Sequence, residues 1–416
     1  MAPSDQQRLN WLVFDEIERV SPPKAEVRNV ELDVMRALAV IFMVINHAGF
    51  KLLSPNDAVQ GWAGAWVFLG SFAPVLFFFI TGLGAGLAKG ASTGQGGAPE
   101  FWPMANKVLL LFLADAFLSL QGGSLRWQFD FFAFIGMCVV AVWLVQQTHR
   151  RLIVALIAIA ALLAMRYVLA PLAYKFGWTS TDSISAKILA WCLGMPGVDG
   201  FSYLIAPWLV YPLAGFVLGS WYGKAPRFAR KRAEMTALLA VAIALSASAA
   251  AYLMGASFLR WSTMSVAFFV LSVAVLGLTC LTAFFLVRRL PRMGNLLSMS
   301  GVSAFAAVPV HYALLEILKP VLTPMTPHGY LPAAIGLLTL TLLIAHGVDL
   351  AVRSCRGAAD VPLVGSGLLA LGVIAATIVL LRAPHYHAIA GCLGQLVVVA
   401  LFGWRYRLLG AGRVAH

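Results

Sequence analysis

Apolar stretches of about 20 residues recur from one end of this chain to the other, parted by short polar joints. A helix needs about that many apolar residues to cross the hydrocarbon core of a bilayer. Twelve segments qualify, near residues 34–53, 62–88, 104–121, 129–147, 152–172, 202–222, 235–255, 263–287, 298–318, 331–352, 363–382 and 386–404. Lipid offers the backbone no hydrogen-bond partner, so each crossing must pair its own N–H and C=O groups. A helix does so and an open sheet cannot. The alternating pattern of a barrel strand is absent. The expected fold is all-α, a polytopic transmembrane helical bundle of about 11–12 spans.

Composition agrees with that reading. Of the 416 residues, 61% are hydrophobic and 11% charged, against roughly 25% charged in soluble domains. The net charge of +13 invites a nucleic-acid reading, but its distribution argues against one. With a cytoplasmic N-terminus, most Lys and Arg fall in every second loop: Arg150–Arg151, Lys224 to Arg232, Arg288 to Arg292, Arg353 and Arg356, then Arg405 to Arg413. This is the positive-inside pattern, and topology alone accounts for the basic balance. Both termini are then cytoplasmic, although an eleven-span version moves the C-terminus outside. The expected partners are membrane lipid and small molecules, with no nucleic acid. The expected location is a bacterial inner membrane.

Three regions follow. Residues 1–33 form a cytoplasmic tail in which 8–20 can make an amphipathic surface helix or remain solvated. Residues 34–404 form one membrane domain, and 405–416 a basic tail. No apolar run in 1–33 resembles a signal peptide. The five cysteines, Cys138, Cys192, Cys280, Cys355 and Cys392, are scattered without metal-ligand spacing and read as small core residues. No metal is expected.

A charge at the centre of a span costs about 2.5–3.5 kcal/mol on insertion scales, so ionisable residues inside spans are the default functional candidates. They are Asp33, Arg36 and His47 in the first span, Asp115 in the third, Arg166 in the fifth, His311 and Glu316 in the ninth, and His346 and Asp349 in the tenth. Asp33 and Arg36 are three apart and share a helical face. Arg36 and His47 are eleven apart, nearly a whole number of turns, so they share a face about 16 Å apart along the axis. A cation near one end and an imidazole near the other suit an anionic donor and a proton-transfer step. On spacing alone a bland alternative stands beside this one: Arg36 as a topogenic charge paired with Asp33, and His47 as a packing histidine.

The segment Leu32-Asp33 leading to Arg36, ten residues and then Asn46-His47 resembles the opening signature of the membrane-bound acyltransferase superfamily. That group includes the acyltransferase-3 proteins and the heparan-α-glucosaminide N-acetyltransferase type. Ala37 stands where such proteins usually carry Gly. Phe72 to Gly82 resembles the second-span motif of the group, and Gly82 there permits close helix approach. Arg126 to Asp130 with Ile135-Gly136 resembles the segment before the fourth span, and Tyr211 to Gly219 a later Pro- and Gly-containing span. Met293-Gly294-Asn295 followed by Val308 to His311 resembles a further segment, without its expected Tyr.

The resemblance implies transfer of an acyl group, usually acetyl, from acyl-CoA to a hydroxyl or amine of a sugar or envelope glycan. It implies acetyl-CoA or another acyl-CoA as co-substrate. Arg36, with Lys107, is the implied phosphate-binding group, since Arg offers a planar fork for phosphate. His47 is the implied base or a transient acyl carrier. Asn46 either holds the imidazole or packs as an amide. Asp33 orients Arg36. Asp115 orients His47 or joins a structural pair. His311 is a second active-site group or a core histidine. The competing class is a proton-coupled secondary transporter built on His346 and Asp349, one turn apart, which otherwise read as a local hydrogen-bonded pair.

Overall fold

A computed structural model describes residues 29–91, 101–121, 128–176, 183–195, 200–222, 228–253, 264–302, 304–355 and 387–403. The first helix, α1 (Val30–Leu52), begins where Asn29 caps it, its side chain accepting the Leu32 N–H at 2.9 Å. Glu31 and Asp33 in the first turn and Lys51 in the last complement the helix dipole. The helix starts a few residues before the span expected from sequence, because the cap and acidic turn extend it outward. Val34, Ala39, Val40, Val44 and Ala48 are fully enclosed. A helix apolar on nearly every side belongs inside a bundle, and α1 is the central post here.

Around it the chain forms α2 (Gly61–Gly70), α3 (Ala73–Ala91), α4 (Phe101–Gln121), α5 (Phe131–Gln146) and α6 (Arg151–Ala164). After α6 a π-helical turn (Met165–Leu169) carries Arg166, and α7 (Ala170–Lys175) and α8 (Ile184–Leu193) follow. Then come α9 (Ile205–Trp208), α10 (Val210–Tyr222), α11 (Phe228–Leu253), α12 (Val266–Arg289), α13 (Pro291–Val302), α14 (Ala304–Leu322), α15 (Pro327–Cys355) and α16 (His387–Gly403). The fold is an all-α polytopic bundle; among the described residues only isolated β-bridges occur. α1 packs against α2, α3, α12, α13, α14 and α15.

Eight described helices are long and apolar enough to cross a membrane. They account for the expected segments starting near 34, 62, 104, 152, 235, 263, 298 and 331. Two differences stand out. The span expected at 62–88 bends at Ser71–Phe72, between α2 and α3. The one expected at 202–222 holds the four-residue α9 and the 13-residue α10. Of the one expected at 298–318, the described helix of crossing length is α14, from Ala304. α5 and α16 are shorter apolar helices. The polar stretch 173–200 carries α8, capped by Ser183, whose hydroxyl accepts the Ala186 N–H. The segment 363–382, the surface helix expected at 8–20 and the tail 405–416 lie outside the described residues.

α3 and α10 form the closest helix pair. A Cβ on Gly82 would overlap the Pro212 carbonyl, and one on Gly215 would overlap the Phe79 carbonyl. Small residues four apart on both helices bring the backbones into contact, the membrane substitute for a hydrophobic drive between helices. At the periphery, Ile153, Leu156, Ile157, Leu238, Leu239, Ile243 and Leu343 are exposed. A large apolar surface on helices of crossing length is a lipid-facing surface. Cys138, Cys192, Cys280 and Cys392 are free thiols.

Candidate active site

Chain direction decides which residues can meet. α1, α4 and α14 run one way and α3, α5 and α15 the other, so the first turns of one set share a membrane side with the last turns of the other. On the side of Arg36 lies a cavity of about 740 Å³, lined by Arg36, Thr81, Lys107, Gln146 and Asp349 among apolar side chains. On the side of His47 lies a smaller one of about 250 Å³, lined by Asn46, His47, Asp130, Ser202, Tyr203 and Tyr312 among others. The two cavities share Phe77, Phe131 and Val308 as a common wall. The eleven-residue spacing thus places Arg36 and His47 in adjoining chambers.

At the wide chamber, Arg36 Nη1 donates to Asp33 Oδ1 at 2.7 Å. Asp33 is buried and the Arg36 side chain is 38% exposed, so the pair anchors the guanidinium while leaving part of it open. Lys107 adds a second cation to the same wall.

At the narrow chamber, His47 is held at both ring nitrogens. His47 Nδ1 lies 2.8 Å from His311 Nε2, and His311 Nδ1 lies 2.9 Å from the Ala307 carbonyl. Tyr312 Oη lies 3.3 Å from His47 Nε2. The hydrogen-bond network assigns the tautomers. A carbonyl only accepts, so His311 Nδ1 carries the proton and His311 Nε2 is a lone pair. In the neutral pair His47 Nδ1 therefore donates, and His47 Nε2 is the free base, facing the Tyr312 hydroxyl. The two imidazole planes are nearly parallel, 11° apart, with centroids 5.1 Å apart.

Neighbouring helices fix this cluster. Asn46 Nδ2 donates to the Val67 carbonyl of α2 at 2.8 Å, and Tyr330 on α15 donates to the Ile45 carbonyl at 2.7 Å. His311 is fully buried. Its helix is seated by an amide ladder in which Gln395 of α16 donates to Gln121 of α4, and Gln121 donates to the Pro309 carbonyl. Beyond the site, Lys51 and Glu316 pair at 2.8 Å, joining α1 to α14 one turn past His47 and Tyr312.

The structure separates the remaining candidates. Asp115 is fully buried, and its carboxylate accepts the N–H groups of Asp130 and Phe132 at 3.0 Å each. It caps α5 and does not line the His47 cavity. Asp349 faces the wide chamber. His346 Nδ1 is buried without a hydrogen-bond partner, so that nitrogen makes no bond to Asp349. Glu316 pairs with Lys51 across helices instead of being simply solvated. Among the described residues no group of three His, Cys, Asp or Glu stands ready to hold a metal ion. Reading the sequence missed Tyr312 and Asp130 as site groups. Tyr312 adjoins His311, and Asp130 lies in a recognised segment, but neither had a periodicity that would place it beside His47.

The site is thus a many-helix membrane bundle with an oriented imidazole in one of two adjoining chambers. A family model described as heparan-alpha-glucosaminide N-acetyltransferase, catalytic, matches residues 28–254, more than half of the chain, and the chain belongs to that family. It is an integral membrane protein of acetyltransferase type. No curated protein and no solved structure matches it. The match takes in Asp33, Arg36, Asn46, His47, Lys107 and Asp115, while His311 and Tyr312 lie beyond it.

Proposed function

We propose that this protein transfers an acetyl group from acetyl-CoA to a hydroxyl or amine of a sugar or envelope glycan. The observation that carries the reading is the placement of the unprotonated His47 Nε2 in a small chamber beside a larger one that carries Arg36 and Lys107. The larger volume lies within the roughly 300–1,000 Å³ of ligand pockets. Two cations and an apolar wall suit a nucleotide donor with phosphates and a long thiol arm. Arg150 and Arg151 follow the end of α5 whose Gln146 lines the Arg36 chamber, which supports placing that chamber at the cytoplasm, where acyl-CoA resides.

In this reading Arg36, steadied by Asp33, and Lys107 hold the donor phosphates. The thioester arm passes the Phe77–Phe131–Val308 wall and brings its carbonyl carbon to the narrow chamber. His47 Nε2 takes the proton of the acceptor hydroxyl or amine as that oxygen or nitrogen bonds to the carbonyl carbon. The C–S bond breaks, CoA leaves as thiolate, and the proton on His47 returns to it. His311 keeps His47 in the reactive tautomer throughout. An acyl-histidine relay would use the same lone pair, and an acetylated His47 trapped in the absence of acceptor distinguishes the two routes.

Mass spectrometry of envelope glycans from cells with and without the protein tests this function. The reading requires acetyl on at least one sugar only when the protein is present. The competing transporter reading, built on His346 and Asp349, requires solute uptake into liposomes with no acyl product.

A further inference from the structure

The N-cap position of α5 is filled by an aspartate that does not cap. An N-cap Asp ordinarily accepts the N–H groups of the first turn through its own side chain. Asp130 makes no such bond. Asp115, reaching across from α4, takes the Asp130 and Phe132 N–H groups in its place. The Asp130 carboxylate is thereby released from helix capping. It lines the narrow chamber with His47 and Ser202.

The rest of that wall narrows what the carboxylate can hold. Two hydroxyls are already committed: Ser71 to the Phe68 carbonyl and Tyr312 to His47 Nε2. Asn46 gives its amide N–H to Val67, which leaves its carbonyl oxygen as an acceptor. An ionised carboxylate also only accepts. Asp130 and Asn46 Oδ1 therefore present acceptors to one small space, next to a His47 Nε2 that the Tyr312 hydroxyl already engages. The complement of such a lining is a group rich in N–H or O–H donors.

We propose that Asp130 is the residue that holds the acceptor substrate, gripping an N–H or O–H group beside the one that His47 deprotonates. This rests on the transferase reading of the site. Asp130 is a binding and positioning residue, and it gains or loses no covalent bond. Its effect falls on the acceptor and leaves the donor chamber, on the far side of Phe131, unchanged.

The test uses membrane vesicles carrying the full chain with radiolabelled acetyl-CoA. Two products are counted: acetyl on envelope saccharides, and free acetate released when saccharides are absent. Asp130→Asn keeps the shape and lowers the ratio of transfer to hydrolysis by about 10- to 100-fold, the loss of one hydrogen bond to a charged group. The KM for acetyl-CoA stays near the wild-type value. Asp130→Ser lowers the same ratio as far and serves as the second variant if Asp130→Asn fails to accumulate. An unchanged ratio in both variants overturns the role of Asp130 while leaving the transferase reading intact. A wild-type protein that yields neither product overturns the transferase reading and this inference with it.

Discussion

His311 Nε2 accepts the proton of His47 Nδ1 across 2.8 Å, although the two residues stand 264 positions apart in the chain. His311 is fully buried and its other nitrogen is committed to the Ala307 carbonyl. The pair therefore has one neutral arrangement, and it turns the lone pair of His47 Nε2 toward the Tyr312 hydroxyl. This resembles in logic any oriented catalytic histidine, whose working nitrogen is set by the bond at the other.

Replacing His311 should therefore damage turnover more than binding. His311→Phe is expected to lower kcat by on the order of 10- to 100-fold, the usual cost of losing a partner that orients a functional histidine. His311→Gln retains a carbonyl oxygen that can accept from His47 Nδ1 and should recover part of that loss. Steady-state kinetics in detergent, with the KM for acetyl-CoA as the control, check both.

At the other chamber the effect should reverse. Arg36→Ala removes the guanidinium that Asp33 steadies, and the KM for acetyl-CoA should rise about 10- to 100-fold with a smaller change in kcat. Arg36→Lys should recover only part, because a point charge lacks the planar fork. Isothermal titration with CoA reads the same loss without turnover.

The Lys51–Glu316 pair is about a third exposed on each side chain, so its stability contribution should be small, about 0–1 kcal/mol. Lys51→Glu alone should lower activity by misaligning α1 against α14 beside His47 and Tyr312. The swap Lys51→Glu with Glu316→Lys should restore it. A double-mutant cycle on activity and on the thermal midpoint measures the coupling.

Gly82→Val should be among the most damaging changes outside the site. Its side chain would enter the Pro212 backbone, where neither helix can yield without moving the other. Overpacking costs about 1–3 kcal/mol, and this contact is with backbone, so the upper end or beyond is expected. Thermal unfolding in detergent and the yield of folded protein read it.

Much of this molecule is written in local patterns. Apolar runs of crossing length marked the helices, and the 3.6-residue period put Asp33, Arg36 and His47 on one face of α1. What the period does not carry is which helix stands opposite. His311 was visible as an intramembrane histidine, yet only packing shows that it touches His47. Tyr312 and Asp130 carry no periodic signal at all: one is a neighbour of a histidine, the other a helix cap whose task Asp115 has taken over. Asp115 illustrates the converse. A buried carboxylate in a span invites a catalytic reading, while the backbone N–H groups at the start of α5 claim it.

One measurement bears most directly on the account: acetyl transfer by His47→Ala, assayed beside wild type in membranes where both are inserted at equal levels. The account predicts that labelled acetyl on envelope saccharides falls by about 10²- to 10⁴-fold, while CoA still binds at the Arg36 chamber. Transfer at the wild-type rate by that variant would contradict it.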